Sequence, residues 1–136
     1  MSQVTTLSLD KALTGTETDC DTISNVYGLD QHSLYVYYTP GASGNVLTVK
    51  IYIDGDAPNS ISSRDNAVWT QFGFYTNSSG VLAQETREIQ YTATGTSQVL
   101  LVPYNFACIG YRVKVSLSES GGTNGTYSAI LFSKNT

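Results

Sequence analysis

The side chains able to do chemistry are few and widely spaced in this 136-residue chain. It has one histidine, His32 in GLDQHSL, and two cysteines, Cys20 and Cys108. Nucleophilic catalysis needs a base held against a hydroxyl or thiol, so any Ser-His-Asp arrangement would have to be built on His32. No GxSxG-type elbow accompanies it, and at the entrance to a strand this histidine is expected to be solvated. Carboxylates offer two more chemistries. Asp54 and Asp56 in DGD, or Glu85 and Glu88, could form the acid pair of a glycosidase. Asp54, Asp56 and Asp65 could instead give oxygens to a calcium ion, but the bidentate glutamate of an EF-hand loop is missing. Aspartates beside glycine are equally expected as turn formers. One histidine and two cysteines are too few for a closed zinc site. No metal, cofactor or catalytic residue is therefore expected.

Cys20 and Cys108 would close a long loop if they paired. The N-terminal segment MSQVTTLSLDKALTGTETDC has neither a basic nor an apolar signal region, so the expected compartment is a reducing cytosol. There the thiols stay free, and Cys108, in the apolar run NFACIG, acts as a small buried hydrophobe. Asn77-Ser78-Ser79 and Asn124-Gly125-Thr126 match the glycosylation acceptor pattern, which is common by chance in a chain this rich in Asn, Ser and Thr, and both read as turns.

Charged residues make up 13% of the chain, about half the usual share, and tyrosine and hydroxyl residues take their place. The net charge is −4, and the basic residues Lys11, Lys50, Arg64, Arg87, Arg112, Lys114 and Lys134 are scattered. No phosphate-tracking stripe for nucleic acid results. No apolar run is long enough for a membrane helix.

The elements that must position these groups are strands. Apolar residues alternate with period two between Gly, Ser, Asn and Pro punctuation. The predicted strands are Gln3–Leu9 (or an extended arm), Asp21–Asn25, Leu34–Thr39, Val46–Asp54, Ala67–Tyr75, Glu85–Thr92, Gln98–Pro103, a strand from Tyr111 and a last one over Thr126–Ser133. The inward set is Leu34, Val36, Tyr38, then Leu47, Val49, Ile51, Ile53, then Tyr111, Val113, Val115, Leu117, then Tyr127, Ala129, Leu131. Asp54, Arg112, Lys114, Ser116 and Ser118 fall on outward positions. Asp54–Asp65 reads as a surface loop, and VLAQETRE (Val81–Glu88) is the one stretch of helix formers. About eight short strands in a single domain, residues 1–136, indicate an all-β antiparallel β-sandwich, jelly-roll-like. An immunoglobulin-like sandwich is the rival, and the Cys–Trp–Cys order lacks its spacing.

Outward positions also carry Tyr35, Tyr37, Tyr52, Trp69 and Tyr75. They form one aromatic patch if their strands share a sheet. Such a patch suits a protein interface or a carbohydrate platform, unless a loop or the N-terminal arm covers it.

Two segments, SLYVYYTPGASGNVLTVKIYIDG and GYRVKVSLSESGGTNGTYSAILF, together about a third of the chain, resemble the small all-β capsid decoration (cement) proteins of tailed bacteriophages. Trp69 and the second cysteine have no counterpart in that resemblance. It implies a non-enzymatic structural protein of the virion surface, made in the host cytoplasm. It also implies a homotrimer that binds between subunits of a major capsid protein, with no nucleic acid or membrane partner. Residues 1–9 are then an arm that adds a strand to a neighbouring sheet. The interface residues expected are Gln3, Val4, Thr5, Thr6, Leu7, Tyr35, Tyr37, Tyr52, Trp69 and Tyr75. The competing reading is a carbohydrate- or receptor-binding tail-associated module, and a small hydrolase comes last.

Overall fold

Inward apolar side chains at every second residue must be covered, and two antiparallel sheets facing one another do this directly. The computed structural model has this arrangement. It describes residues 2–54, 69–78, 81–86 and 88–136, with the backbone alone at 74–78, 81–86 and 102. The strands are β1 (Ser2–Ala12), β2 (Thr18–Asp19), β3 (Ser24–Asn25), β4 (Gln31–Thr39), β5 (Val46–Asp54), β6 (Trp69–Gln71), β7 (Gly73–Ser78), β8 (Val81–Thr86), β9 (Glu88–Thr92), β10 (Val99–Ala107), β11 (Arg112–Ser120) and β12 (Thr126–Lys134).

The first sheet runs β1-β12-β4-β10. In the second, β11 and β5 are central; β2 and β3 lie along one edge of β11, and β6 and β9 along the far edge of β5. All these pairings are antiparallel. The chain enters the first sheet with β1 and crosses to the second for β2 and β3. It returns for β4 and crosses again for β5, and β10, β11 and β12 repeat the alternation. The first and last strands end side by side. This is the double Greek-key winding of a jelly roll, and it bears out the fold read from the sequence.

The core fills the gap between the sheets. Leu7, Leu34, Val36, Tyr38, Ala129 and Leu131 from the first sheet meet Leu47, Val49, Val113, Val115 and Leu117 from the second, each at most 2% exposed. Full burial stabilises by about 1.5–3 kcal/mol for a leucine-sized side chain.

Four expectations change for identifiable reasons. Residues 2–9 belong to β1 and are paired in register with β12, from Ser2 opposite Lys134 to Ser8 opposite Ala129. They do not form an arm free to add to a neighbour's sheet. Pro103 does not end its strand: β10 runs on to Ala107 with a register shift between Leu101 and Tyr104, as an edge strand allows. The helix formers of VLAQETRE lie in β8 and pair with β7, so tertiary pairing overrides local propensity. Finally, the outward phase does not mean exposure for Asp54 or Ser116, both 0% exposed. Arg112 covers the first, and β2 crosses over the second, where Ser116 Oγ donates to Asp19 Oδ1 at 2.7 Å. Of the loop Asp54–Asp65, residues 55–65 lie outside the described residues, including Asp56 and Asp65.

Candidate interaction surfaces

The outer face of the first sheet follows from its registers. Val4, Phe132, Ser33 and Asn105 form one row across β1, β12, β4 and β10. The next row is Thr6, Ile130 and Tyr35, and beyond it come Ser128, Tyr37 and Leu100. Val4 is 57% exposed, Leu100 49% and Phe132 46%. Tyr35 meets Phe132 edge to face, with ring centroids 6.1 Å apart. At the lower end of this face is a cavity of about 510 Å³, lined by Gln31, Ser33, Tyr35, Asn105, Phe132 and Lys134 among others. The sequence reading missed all of these except Tyr35. The signal was available: if Tyr127, Ala129 and Leu131 point inward, Ile130, Phe132 and Lys134 must point outward.

Tyr52 and Trp69 lie on the opposite side of the sandwich, on β5 and β6 of the second sheet. The expected single aromatic patch is thus divided between two faces. Lys114 Nζ sits 4.7 Å from the Trp69 ring centroid and 5.1 Å from that of Tyr52, and the Arg112 guanidinium lies 5.4 Å from the Trp69 centroid. Carboxylates neutralise these cations. Arg112 Nε and Nη2 both donate to Asp54 Oδ2, at 3.0 and 2.9 Å. Lys114 faces Asp19 at 3.6 Å, and Lys50 faces Glu17 at 3.0 Å. Tyr52 donates its hydroxyl to Glu17 at 2.9 Å. Tyr75 pairs with Gln84 through β7 and β8, and its side chain lies outside the described residues.

The β1 residues divide by the period-two rule. Val4 and Thr6 face outward. Gln3 and Thr5 are tied within the chain: Gln3 Nε2 donates to the Asn25 carbonyl at 2.6 Å, and the Thr5 and Ser24 hydroxyls are 3.0 Å apart. Leu7 is fully buried; it is a core residue and has no surface to offer a partner.

The possible catalytic groups are packed away. His32 is 2% exposed, contrary to the solvated residue expected. It lies on the inner face of β4 with its ring 5.0 Å from that of Phe106, and its Nδ1 is 2.8 Å from Ser133 Oγ. Burial pushes its pKa down, and the Cys108 backbone and the Asp30 charge oppose this only in part. Cys20 is buried and Cys108 partly so, both as free thiols; burial pushes Cys108 up to about 11. Asp54 is engaged by Arg112. Among the described residues no group of three His, Cys, Asp or Glu side chains is arranged to hold a metal.

One group that the sequence reading passed over organises an entire end of the sandwich. Glu119 continues the inward phase of β11 and is 0% exposed. Its Oε2 accepts from Tyr38 OH, from Gly41 N at 3.0 Å and from Asn45 Nδ2 at 3.2 Å, and its Oε1 accepts from Gly125 N. Asn45 Nδ2 also donates to the Thr123 carbonyl at 2.6 Å. The β4–β5 loop and the β11–β12 loop are thereby tied to one carboxylate. The approach is so close that a Cβ on Gly125 would lie 1.8 Å from the Thr39 carbonyl oxygen, and one on Gly41 2.0 Å from that of Thr123. Burial alone would raise the Glu119 pKa, and the bonds from Tyr38, Gly41, Gly125 and Asn45 outweigh it and hold it below the ordinary value.

No protein-family model and no curated protein matches the chain. Among solved structures, the fold is shared with the infectious bursal disease virus VP2 subviral particle, at 13% identity and a TM-score of 0.56. It is shared equally with the T=1 particles derived from that virus, at 14% identity and a TM-score of 0.56. Both alignments cover 99% of this chain and 32% or 31% of the viral one, so the chain spans about a third of the length of the proteins it matches.

Proposed function

We propose that this protein is a non-enzymatic structural component of a virion. More narrowly, we read it as a decoration protein that cements the capsid of a tailed bacteriophage by binding between major capsid protein subunits at the particle surface. The observation that carries the reading is the complete jelly-roll winding within 136 residues, a winding it has in common with a protein of a viral particle. The packing of His32 and the engagement of Asp54 by Arg112 favour a role without chemistry.

The outer face of the second sheet suits the shell contact. Trp, Tyr and Arg dominate the energetic centres of protein interfaces. Here Trp69, Tyr52 and Arg112 are held together by cation–π contacts before any partner arrives, which lowers the ordering cost of binding. Assembly as a trimer would multiply a modest affinity at each contact.

The test mixes purified protein with shells assembled from the major capsid protein alone and sediments them. A saturable coat that is lost in Trp69→Ala supports the reading. Absence of a coat refutes shell binding, and a coat unaffected by Trp69→Ala refutes the assigned face. Light scattering reads the assembly state: a monomer at the concentrations that coat shells refutes the trimer.

A further inference from the structure

The cavity on the outer face of the first sheet combines three recognition chemistries within about 510 Å³, a volume inside the roughly 300–1,000 Å³ of small-ligand sites. The first is a corner of two aromatic rings. Tyr35 and Phe132 meet at an interplanar angle of 60°, and Phe132 is 46% exposed. A flat ring left partly in water is a platform for a ligand with an apolar C–H face of its own. The second is a set of neutral hydrogen-bonding groups. Ser33 Oγ donates to Asn105 Oδ1 at 2.6 Å, which leaves the Asn105 amide N–H groups as donors and the Ser33 lone pairs as acceptors. Gln31 adds one further donor and acceptor pair beside them.

The third is a cation. Of the described basic residues, Lys11, Lys50, Arg112 and Lys114 each face a carboxylate within ion-pair distance. Lys134 does not, and no carboxylate lines the cavity. On a chain of net charge −4, an uncompensated cation beside aromatic rings is a selective element, because a charge-assisted bond is about twice as strong as a neutral one.

We propose that this cavity binds a pyranose that carries a carboxylate. A neutral sugar would satisfy the rings and amides and leave Lys134 unused. A simple aliphatic acid would satisfy Lys134 and leave the Ser33, Asn105 and Gln31 groups without partners. A sugar acid meets all three at once: its ring face lies on the aromatic corner, its hydroxyls pair with the amides, and its carboxylate meets the ammonium. The site lies on the opposite side of the sandwich from Tyr52 and Trp69, so it can be filled while the shell contact is made, and it stands independently of that contact.

The experiment is saturation-transfer NMR with titration calorimetry on the intact protein, using 3′-sialyllactose, digalacturonate and lactose as probes. The expected result is transfer to the acid-bearing ring and preference for the acidic sugars over lactose. Lys134→Gln should weaken the acidic sugars about tenfold, as loss of one charged hydrogen bond does, and leave lactose unchanged. Lys134→Arg should restore most of the affinity, and Tyr35→Ala should abolish binding of every probe while the melting curve stays cooperative. Equal binding of acidic and neutral sugars, indifference to Lys134→Gln, or no transfer to any probe would overturn the assignment. So would self-association that Phe132→Ser abolishes, because the face would then be a protein contact.

Discussion

Removing the Glu119 carboxylate should destabilise this protein more than an ordinary polar substitution. The side chain is 0% exposed and accepts four hydrogen bonds, two from backbone amides and two from side chains. In Glu119→Ala all four donors lose their acceptor where water enters poorly. A stranded buried donor costs about 1–3 kcal/mol, and partial relaxation keeps the total below the simple sum. Breaking a buried charged contact from one side costs about 3–5 kcal/mol, so about 4 kcal/mol is expected here. For a domain of this size that lowers the melting temperature by roughly 15 °C.

Glu119→Gln separates shape from charge. An amide oxygen at the Oε2 position still serves Tyr38, Gly41 and Asn45. Its NH2 group then faces the Gly125 N–H, donor against donor, at a cost of about 2 kcal/mol. The pH dependence follows from the depressed folded-state pKa. Such a group contributes stability above its unfolded value of 4.5, and that contribution is lost as the pH falls through the folded value. Urea melts followed by circular dichroism at pH 7 and pH 3 measure both effects. Wild type should lose more stability between these pH values than Glu119→Gln does. A Glu119→Ala cost below about 0.5 kcal/mol, the range of an ordinary surface substitution, or equal acid sensitivity in wild type and Glu119→Gln, would refute the role given to this carboxylate.

Three other outcomes are expected. His32 is the sole histidine, so its imidazole can be titrated by NMR without ambiguity. Its folded pKa should fall below 6.5, stability should decline as the pH drops from 6.5 toward that value, and a folded pKa at or above 6.5 would contradict the burial argument. Arg112→Ala should cost about 3 kcal/mol in chemical denaturation because it strips the guanidinium from the buried Asp54; a change within experimental error would mean that other partners hold Asp54 unaided. Leu7→Ala should cost about 2–5 kcal/mol as a core cavity, whereas Thr6→Ala, one residue away on the exposed face, should change the melting point little; equal effects would mean that β1 is not held in the register described.

Period-two alternation carried most of the fold. It identified β4, β5, β11 and β12 and their inward residues, since a strand buried on one face must write that face into its sequence. It was silent wherever a residue's environment came from a strand distant in sequence. Ser116 and Asp54 sit on outward positions and are buried because β2 and Arg112 lie over them. His32 reads as a turn residue because the chain before Leu34 lacks apolar alternation, yet β4 begins at Gln31 and keeps His32 in the inward phase. The division of the aromatic residues between two faces was beyond local pattern for the same reason. Tyr35 and Tyr52 are both outward on successive strands, and only the winding decides that β4 and β5 belong to different sheets. Glu119 was overlooked because a charged residue after SLS at a strand end looks like a solubilising terminus. Its actual role depends on loops brought together from two parts of the chain.

The two ends of the sandwich do different physical work. At one end the β4–β5 and β11–β12 loops converge on Glu119, and glycines at 41 and 125 let their backbones approach closer than a side chain would permit. That end is closed by buried hydrogen bonds and has no free groups to spare for a ligand. At the other, where β4 begins and β12 ends, the first sheet presents the open cavity with Lys134, Tyr35 and Phe132. Since β4 and β12 are paired along their whole length, from Thr39 opposite Thr126 to Gln31 opposite Lys134, the closed end fixes the register in which the open end is built. A one-residue slip in that pairing would turn Phe132 and Lys134 inward and Leu131 out to solvent. The Glu119 clamp therefore bears on function through register. It touches no ligand, yet the tyrosine–phenylalanine corner and the lysine share one face only while the loops at the far end hold the two strands in step.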